Sequence, residues 1–266
     1  RGGMPRCASL STTSNSGRGG AVYVSSSSVT LQLAEIQENV AAQGAGLYLV
    51  SANGVTMLNS LFLHNVASDQ GGSLYSVSSP ITSSGSSLVR NQAGSSGGAF
   101  HSIASTLHLT SDSLLENESG VGGALYMDSS EVTLTSVLME SNVATAIGGA
   151  IRSQLGELRI QASSVLTRNT ATTDGGALWL ESTPVSIVSS TLSKNTAPSS
   201  SGGAVYYRSL QNSALTIASS TLSENVASAG GGVFITGSLA VLRVESGTVF
   251  DSNSANSGGT VFLEGA

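Results

Sequence analysis

The sequence has little charge, few aromatic residues and a single cysteine. Charged residues make up 10% of the 266 residues, against about a quarter in an average globular domain. The net charge is −6, and no basic tract is present, so the sequence lacks the electrostatic footprint of a nucleic-acid-binding protein. It also lacks an apolar run of roughly 18 residues and a basic amphipathic helix, so we expect no direct membrane insertion in this segment.

The lone cysteine, Cys7, excludes an internal disulfide framework. It either pairs with a cysteine outside this sequence or remains a free thiol. The chain begins without a signal peptide, and neither end offers the polar cap that a solenoid needs. We therefore expect an excerpt of a longer protein in which residues 1–266 form one continuous domain. Residues 1–18 would be a partial first coil and residues 19–266 the regular coils.

Glycine, serine and asparagine are abundant instead, and they recur with a fixed period. Ten times a pair of small residues opens a short apolar run, at intervals of 25 to 29 residues. The first glycines of these runs are Gly19, Gly44, Gly71, Gly97, Gly122, Gly148, Gly175, Gly202, Gly231 and Gly258. A period this constant predicts an array of one unit rather than a globule with one centre. Apolar residues in register with the period (39% of the chain) argue against a disordered linker.

One repeat, residues 122–147, contains three short segments with alternating polarity, which are separated by glycine and serine. Three strands without a helix between them predict an all-β fold, a single-stranded parallel β-helix. We expect about ten coils of ~26 residues with three short strands each, which at ~4.8 Å per coil make a rod of roughly 48 Å. A β-propeller would need four antiparallel strands per blade, and leucine-rich repeats would need a leucine signature that is absent.

Stacked coils turn each repeat position into a column along the rod. Three columns are apolar and predict the core: the fourth residue of each glycine run, the residue three positions before a recurring asparagine, and the middle strand. The fourth residues are Val22, Leu47, Leu74, Phe100, Leu125, Ile151, Leu178, Val205, Phe234 and Val261.

A recurring asparagine forms a further column and predicts a structural ladder. Its members are Asn39, Asn65, Asn91, Asn117, Asn142, Asn169, Asn195, Asn225 and Asn253. Stacked amides can bond to one another and to turn backbone, and asparagine tolerates the left-handed conformation of sharp turns. Asn117 heads the sequon Asn117-Glu118-Ser119, but an interior position argues against glycosylation there. We expect replacement of Asn142 to destabilise the rod more than replacement of Ser130, which the pattern places at the surface.

The alternation of these two motifs resembles the repeats of the chlamydial polymorphic membrane proteins, which pair GGAI-type with FxxN-type motifs. The glycine half occurs here as GGSLY, GGAFH and GGALY, and the asparagine half as FLHN, LVRN and LSKN. The resemblance covers nearly all of the chain after about residue 15, although leucine mostly replaces phenylalanine in the asparagine motif. It implies a right-handed β-helical passenger that is exported and used for adhesion. No autotransporter β-barrel is present, and similar repeats occur in large surface proteins of algae and other protists.

The fifth residues of the glycine runs form a column rich in aromatic residues. They are Tyr23, Tyr48, Tyr75, His101, Tyr126, Arg152, Trp179, Tyr206, Ile235 and Phe262, and all but Ile235 make up what we call the stripe. Alternation along the strand predicts that the stripe points outward. Three roles remain open: stabilisation of the ladder by stacked rings, a contact face for another protein chain, and a platform for glycans.

An enzymatic function is not indicated, although many β-helices act on polysaccharides. Such sites need two or three acidic groups gathered on neighbouring coils. The candidate carboxylates occupy different repeat positions: Asp69, Asp112, Asp128, Asp174 and Asp251. The histidines fall in three columns and are expected to be solvated: His64, His101 and His108. No metal or cofactor site is indicated either, because calcium β-rolls need a nine-residue Gly/Asp repeat and zinc needs a Cys/His cluster.

The sequence therefore predicts a structural and adhesive segment of an extracellular surface protein, possessing no catalytic residues. Its expected partners are other protein chains, through self-assembly into a filament or through a surface receptor, with a glycan as the second class. The alternative function is a β-helix that binds or degrades polysaccharide.

Overall fold

The computed structural model describes residues 9–10 and 17–265, and Cys7 lies outside them. The described chain consists of short strands joined by turns, and it contains no helix that could cross a bilayer. The strands are β1 Ser9–Leu10, β2 Val22–Ser25, β3 Ser28–Gln32, β4 Glu35–Gln37, β5 Val40–Gln43, β6 Leu47–Val50, β7 Gly54–Leu58, β8 Leu61–Leu63, β9 Val66–Gln70, β10 Leu74–Val77, β11 Pro80–Ser84, β12 Ser87–Val89, β13 Gln92–Ala93, β14 Phe100–Ile103, β15 Thr106–Thr110, β16 Ser113–Leu115, β17 Glu118–Ser119, β18 Leu125–Asp128, β19 Glu131–Thr135, β20 Leu138–Glu140, β21 Val143–Ala144, β22 Ile151–Gln154, β23 Glu157–Gln161, β24 Val165–Thr167, β25 Thr170–Ala171, β26 Leu178–Glu181, β27 Val185–Val188, β28 Thr191–Ser193, β29 Thr196–Ser201, β30 Val205–Arg208, β31 Ser213–Ala218, β32 Thr221–Ser223, β33 Val226–Ala229, β34 Val233–Thr236, β35 Ala240–Val244, β36 Val249–Asp251 and β37 Val261–Glu264.

These strands build a parallel β-solenoid of about nine turns with ~26 residues per turn, which confirms the predicted fold class. Each strand pairs in parallel with its equivalent in the next turn. Along one turn the chain passes through sheet 1 (β2-β6-β10 to β37), sheet 2 (β3-β7-β11 to β35), sheet 3 (β1-β4-β8 to β36) and sheet 4 (β5-β9-β13 to β33). The prediction of three strands per coil was wrong, because the link after the asparagine forms a fourth strand. Several of these strands have only two residues, too few to show alternation in the sequence.

The three apolar columns form one continuous core, as predicted. The fourth-residue column and the column before the asparagine are buried in all the inner turns, and so is the middle-strand column of sheet 2. A fourth inward column, two residues further along sheet 2, was missed. It includes Met57, Leu109, Leu134 and Ile160, all fully buried.

The register of the ninth repeat corrects one assignment. Val205 pairs with Val233, and Tyr206 pairs with Phe234. Phe234 therefore belongs to the fifth-residue column, and Ile235 lies one position beyond it. The sequence was ambiguous because three consecutive glycines precede the run, and Gly230, rather than Gly231, takes the positive φ (59°).

Each turn bends at four corners, and a left-handed residue stands at each kind of corner. The first glycine of each pair supplies it before sheet 1, for example Gly122 with φ 63°. The second glycine is required by close packing, since a Cβ on Gly123 would overlap the carbonyl oxygens of Val143 and Gly149. At the asparagine corner the left-handed residue is the one before the asparagine, not the asparagine itself. These residues are Glu38, His64, Arg90, Glu116, Ser141, Arg168, Lys194, Glu224 and Ser252.

Candidate functional site

The nine asparagines form a hydrogen-bonded ladder inside the corner between sheets 3 and 4. In each of the eight steps, Nδ2 of one asparagine donates to Oδ1 of the next at 2.8–3.0 Å. The backbone N–H of the same residue donates to that oxygen at 3.0–3.2 Å. From Asn65 onward, the second Nδ2 proton reaches a carbonyl of the preceding turn at 2.8–3.1 Å. Asn117 is fully buried within this ladder.

Two further ladders, built mainly from hydroxyl groups, occupy two of the three other corners and were missed. Between sheets 1 and 2, Ser79 N donates to Ser105 Oγ at 3.1 Å and Ser105 N to Ser130 Oγ at 3.2 Å. Ser130 is therefore fully buried, and its expected exposure was wrong. Between sheets 2 and 3, Ser60 N donates to Ser86 Oγ at 3.2 Å. A serine before a strand is the signal that could have revealed these ladders, but serine is too common here for it to stand out.

Asp112 replaces serine in the ladder between sheets 2 and 3. Its side chain accepts hydrogen bonds from Ser86 N at 2.6 Å, Ser83 Oγ at 3.0 Å and Thr110 N at 3.1 Å. The residue is 1% exposed. Burial raises the pKa of this carboxyl to about 6, and the three donors only partly oppose that shift.

The fifth-residue column is a continuous stack of ten side chains. The neighbouring rings are nearly parallel, with centroids 4.5–5.9 Å apart and planes within 11° of each other. The guanidinium group of Arg152 fills the one position without a ring and lies 4.8 Å from the Tyr126 ring and 5.1 Å from the Trp179 ring. His101 and Arg152, which interrupt the aromatic pattern in the sequence, thus continue the stack in space.

The stack lies on the side of sheet 1 away from the core, yet most of it is covered. Tyr48, Tyr75, His101, Trp179 and Phe234 each expose between 2% and 9% of their surface. Tyr126, Arg152, Tyr206 and Phe262 are half-buried, and Tyr23 is exposed. Two residues that come just before glycine pairs border rings: Ser96 Oγ lies 2.8 Å from His101 Nδ1, and the Arg18 guanidinium lies 5.4 Å from the Tyr48 ring. Ring faces are therefore used for stacking, and only edges of some members reach the surface.

His101 is the one buried histidine among the described residues, contrary to its expected solvation. Its Nε2 atom has no hydrogen-bond partner. Burial lowers the pKa of the imidazole to about 4; the nearby Arg152 also lowers it, and Asp69 opposes this. The ring is therefore neutral at physiological pH. His64 and His108 are exposed.

The carboxylates remain scattered. Asp69 accepts a hydrogen bond from Ser95 Oγ at 2.7 Å, and Asp174 accepts one from Ser201 N at 3.0 Å. Asp128 ends β18 and Asp251 ends β36. Within the described residues, no group of three or more histidine, cysteine, aspartate or glutamate side chains is placed to hold a metal ion.

A groove of about 380 Å³ runs along sheet 4 across β9, β13 and β17. It is lined by buried residues such as Ala67 and Ala93 and by exposed residues such as Gln92 and Glu118. Gln92 Nε2 donates to a Glu118 carboxylate oxygen at 3.4 Å. Glu118 supplies the one carboxylate among the lining residues, so the groove itself does not offer the acid pair that glycoside hydrolysis requires.

The fold and these columns define a class: a parallel β-solenoid repeat protein whose turns are joined by an internal asparagine ladder, two hydroxyl ladders and a peripheral π-stack. No protein-family model, curated protein or solved structure matches the chain.

Proposed function

We propose that the chain is a structural and adhesive segment of an extracellular surface protein, in which the solenoid acts as a rigid rod that holds repeated side chains toward partner chains. The observation that carries this proposal is the continuity of the connections along the rod. The asparagine ladder and the ten-member stack both run through the turns without a break. Because each turn bonds to the next in the same way, such an array can be extended by further turns.

The motif resemblance to the chlamydial polymorphic membrane proteins supports the extracellular and adhesive part of the proposal. The exposed residues agree with it, since serine is the commonest of them. Three of the four ion pairs of the described residues join neighbouring turns, namely Arg90–Glu116, Arg168–Glu140 and Lys194–Glu224. These pairs cancel charge locally between adjoining turns, while the chain keeps a net charge of −6.

Sheet 4 is the face that we infer to contact a partner chain. The residue after the ladder asparagine points outward there, and in three turns it is an exposed valine: Val66, Val143 and Val226, exposed by 36%, 39% and 43%. They recur at every third turn, with Gln92, Glu118, Thr170 and Thr196 in the turns between, and offer a partner three separate apolar contacts on one face. The stripe contributes only its accessible members, such as Tyr126 and Tyr206, because four of its side chains are already covered.

An adhesion assay with matched variants tests this proposal. Beads coated with the purified chain should adhere to protein-coated surfaces and cell monolayers, and the triple variant V66T/V143T/V226T should adhere less. Threonine preserves the branched shape and strand propensity of valine while removing apolar surface. The control variant T30S/T82S changes exposed positions on sheet 2 and should adhere like the wild type. Equal adhesion of all three proteins would refute the assignment of sheet 4, and adhesion no better than albumin-coated beads would refute an adhesive function.

The alternative function, polysaccharide binding, is favoured by one observation, the groove on sheet 4. Exposed polar side chains beside buried alanines in one groove suit the binding of a sugar chain. A glycan array distinguishes the two functions. Binding that is lost in Gln92→Ala, with adhesion to protein unchanged, would support glycan recognition; release of reducing sugars from a bound polysaccharide would establish an enzyme.

A further inference from the structure

Within the described residues, the asparagines are the nine ladder members and four exposed residues, Asn53, Asn59, Asn212 and Asn256. The ladder members are buried, except for half-buried Asn253, and each is followed by a residue that carries a side chain. Asn53 is exposed and is followed by Gly54, and this is the one Asn-Gly pair in the sequence. From this contrast we infer that Asn53 is a site of spontaneous deamidation, while the ladder asparagines are protected by the fold.

The location of Asn53 is unusual in the solenoid, because it is an additional residue at the corner between sheets 1 and 2. In the first turn, one residue separates the left-handed Ser26 from the start of β3 at Ser28. In the second turn, two residues separate the equivalent Ser51 from Gly54, which pairs with Ser28. The extra residue is Asn53. Asn53 lies at a bend before β7 begins, so the backbone at this residue is not held between two paired strands.

The chemistry needs only the chain and water. The backbone nitrogen of Gly54 attacks the side-chain carbon Cγ of Asn53 and forms a new C–N bond. The Cγ–Nδ2 bond breaks, and the amide leaves as ammonia after taking up the proton that Gly54 N loses. Water then opens the resulting succinimide at one of its two carbonyls, which gives aspartate or isoaspartate. Asparagine is a chemically labile residue, and glycine favours ring closure because it has no Cβ and a freely rotating backbone.

The surroundings of the pair leave room for this rearrangement. A Cβ placed on Gly54 would find one neighbour within 4 Å, Ser28 Oγ at 3.9 Å. Asn53 is held by two hydrogen bonds, from its N to Ser27 O at 2.9 Å and from its Nδ2 to Ser26 O at 3.0 Å. Both partners are at the surface, where water competes with such bonds. By contrast, the amide of Asn142 is enclosed by three neighbours and excluded from water.

Deamidation at this corner would change the contact between two turns. The new carboxylate cannot donate to Ser26 O, so a favourable hydrogen bond becomes a repulsion, and the chain gains one negative charge. Isoaspartate also inserts a methylene group into the backbone at the entrance to β7, which pairs with β3. The modification would therefore loosen the seam between the first and second turns and leave the inner turns intact.

Timed incubation of the purified chain at mildly alkaline pH, followed by peptide mapping, tests the inference. The peptide containing Asn53 should acquire the mass of the acid and appear as two products, aspartate and isoaspartate. Asn212 and Asn256, which are exposed but followed by serine, serve as internal references for exposure alone. We expect Asn53 to react about tenfold faster than either of them, which corresponds to ~1.4 kcal/mol in the barrier.

Two variants separate the chemistry from a folding defect. Gly54→Ala fits the available space and involves no positive φ, so it should fold like the wild type and slow the reaction at Asn53 about tenfold. Asn53→Gln should abolish the charge change in this peptide. The inference is overturned if Asn53 reacts no faster than Asn212, if Gly54→Ala leaves its rate unchanged, or if the ladder asparagines react at the same rate in the folded protein.

Discussion

Replacement of Asn142 by leucine should test whether the ladder holds the solenoid together. The side chain takes part in four hydrogen bonds. Nδ2 donates to Asn169 Oδ1 and to Leu114 O, both at 2.9 Å, and Oδ1 accepts from the N and Nδ2 of Asn117 at 3.0 Å each. Leucine has a similar size but can make none of them, so every partner loses a bond in a site that excludes water.

The magnitude follows from the groups left unsatisfied. The backbone N–H of Asn117 loses its acceptor outright, and an orphaned buried group costs about 1–3 kcal/mol. The Nδ2 of Asn117 keeps its bond to Leu88 O. Asn169 Oδ1 loses the bond from the Asn142 side chain but still accepts one from the backbone N–H of residue 142. Counting one full orphan and three weakened groups, we expect the free energy of unfolding to fall by about 3–5 kcal/mol.

Urea denaturation followed by circular dichroism measures the loss, with Asn212→Leu as the matched control. Asn212 is exposed in the loop before β31, so the same chemical change there should alter stability by less than about 0.5 kcal/mol. Hydrogen exchange should show that protection is lost first in the turns around Asn117 and Asn169, since each turn contacts only its neighbours. Equal unfolding midpoints for the two variants would refute the view that the ladder stabilises the rod.

Three further predictions concern other columns. Gly123→Ala should destabilise the rod by several kcal/mol because its Cβ would overlap two carbonyl oxygens, whereas Gly54→Ala should be nearly neutral; thermal melts of the pair check this. Tyr126→Leu removes the contacts with His101 and Arg152 and should cost about 1–3 kcal/mol in urea denaturation, while an unchanged midpoint would contradict a stabilising stack. Asp112→Ser should raise stability at pH 8 more than at pH 4, as measured by denaturation at both pH values.

Much of this fold could be predicted because the period places identical residues on top of one another. A column such as Leu88, Leu114 and Met139 is apolar at every step, so its burial follows from the sequence alone. The asparagine ladder could be predicted for the same reason, since an amide has both a donor and an acceptor for its own copy.

The features that were missed depend on contacts that a repeat pattern does not encode. The two-residue strands of sheet 4 are too short for alternation to be visible. Ser130 looks like any other serine of this serine-rich chain until its neighbour Ser105 is placed above it. The burial of the stripe was missed for a similar reason: alternation gives the direction in which Tyr75 points, but not whether other residues cover it.

Asp112 and His101 should make the rod insensitive to pH by opposing each other. The pKa of Asp112 is raised to about 6 from 3.8, so its contribution to stability is present below pH 3.8 and is lost as the pH rises through 6. The pKa of His101 is lowered to about 4 from 6.5, so its contribution is present above pH 6.5 and is lost as the pH falls through 4. At ~1.4 kcal/mol per pKa unit, each effect amounts to about 3 kcal/mol with opposite sign.

The wild type should therefore show nearly constant stability between pH 4 and 6.5. His101→Phe, which keeps a ring in the stack, should lose stability as the pH rises across this range, Asp112→Ser should gain it, and the double variant should again be flat. Parallel pH profiles for the two single variants would show that these groups do not control the pH dependence.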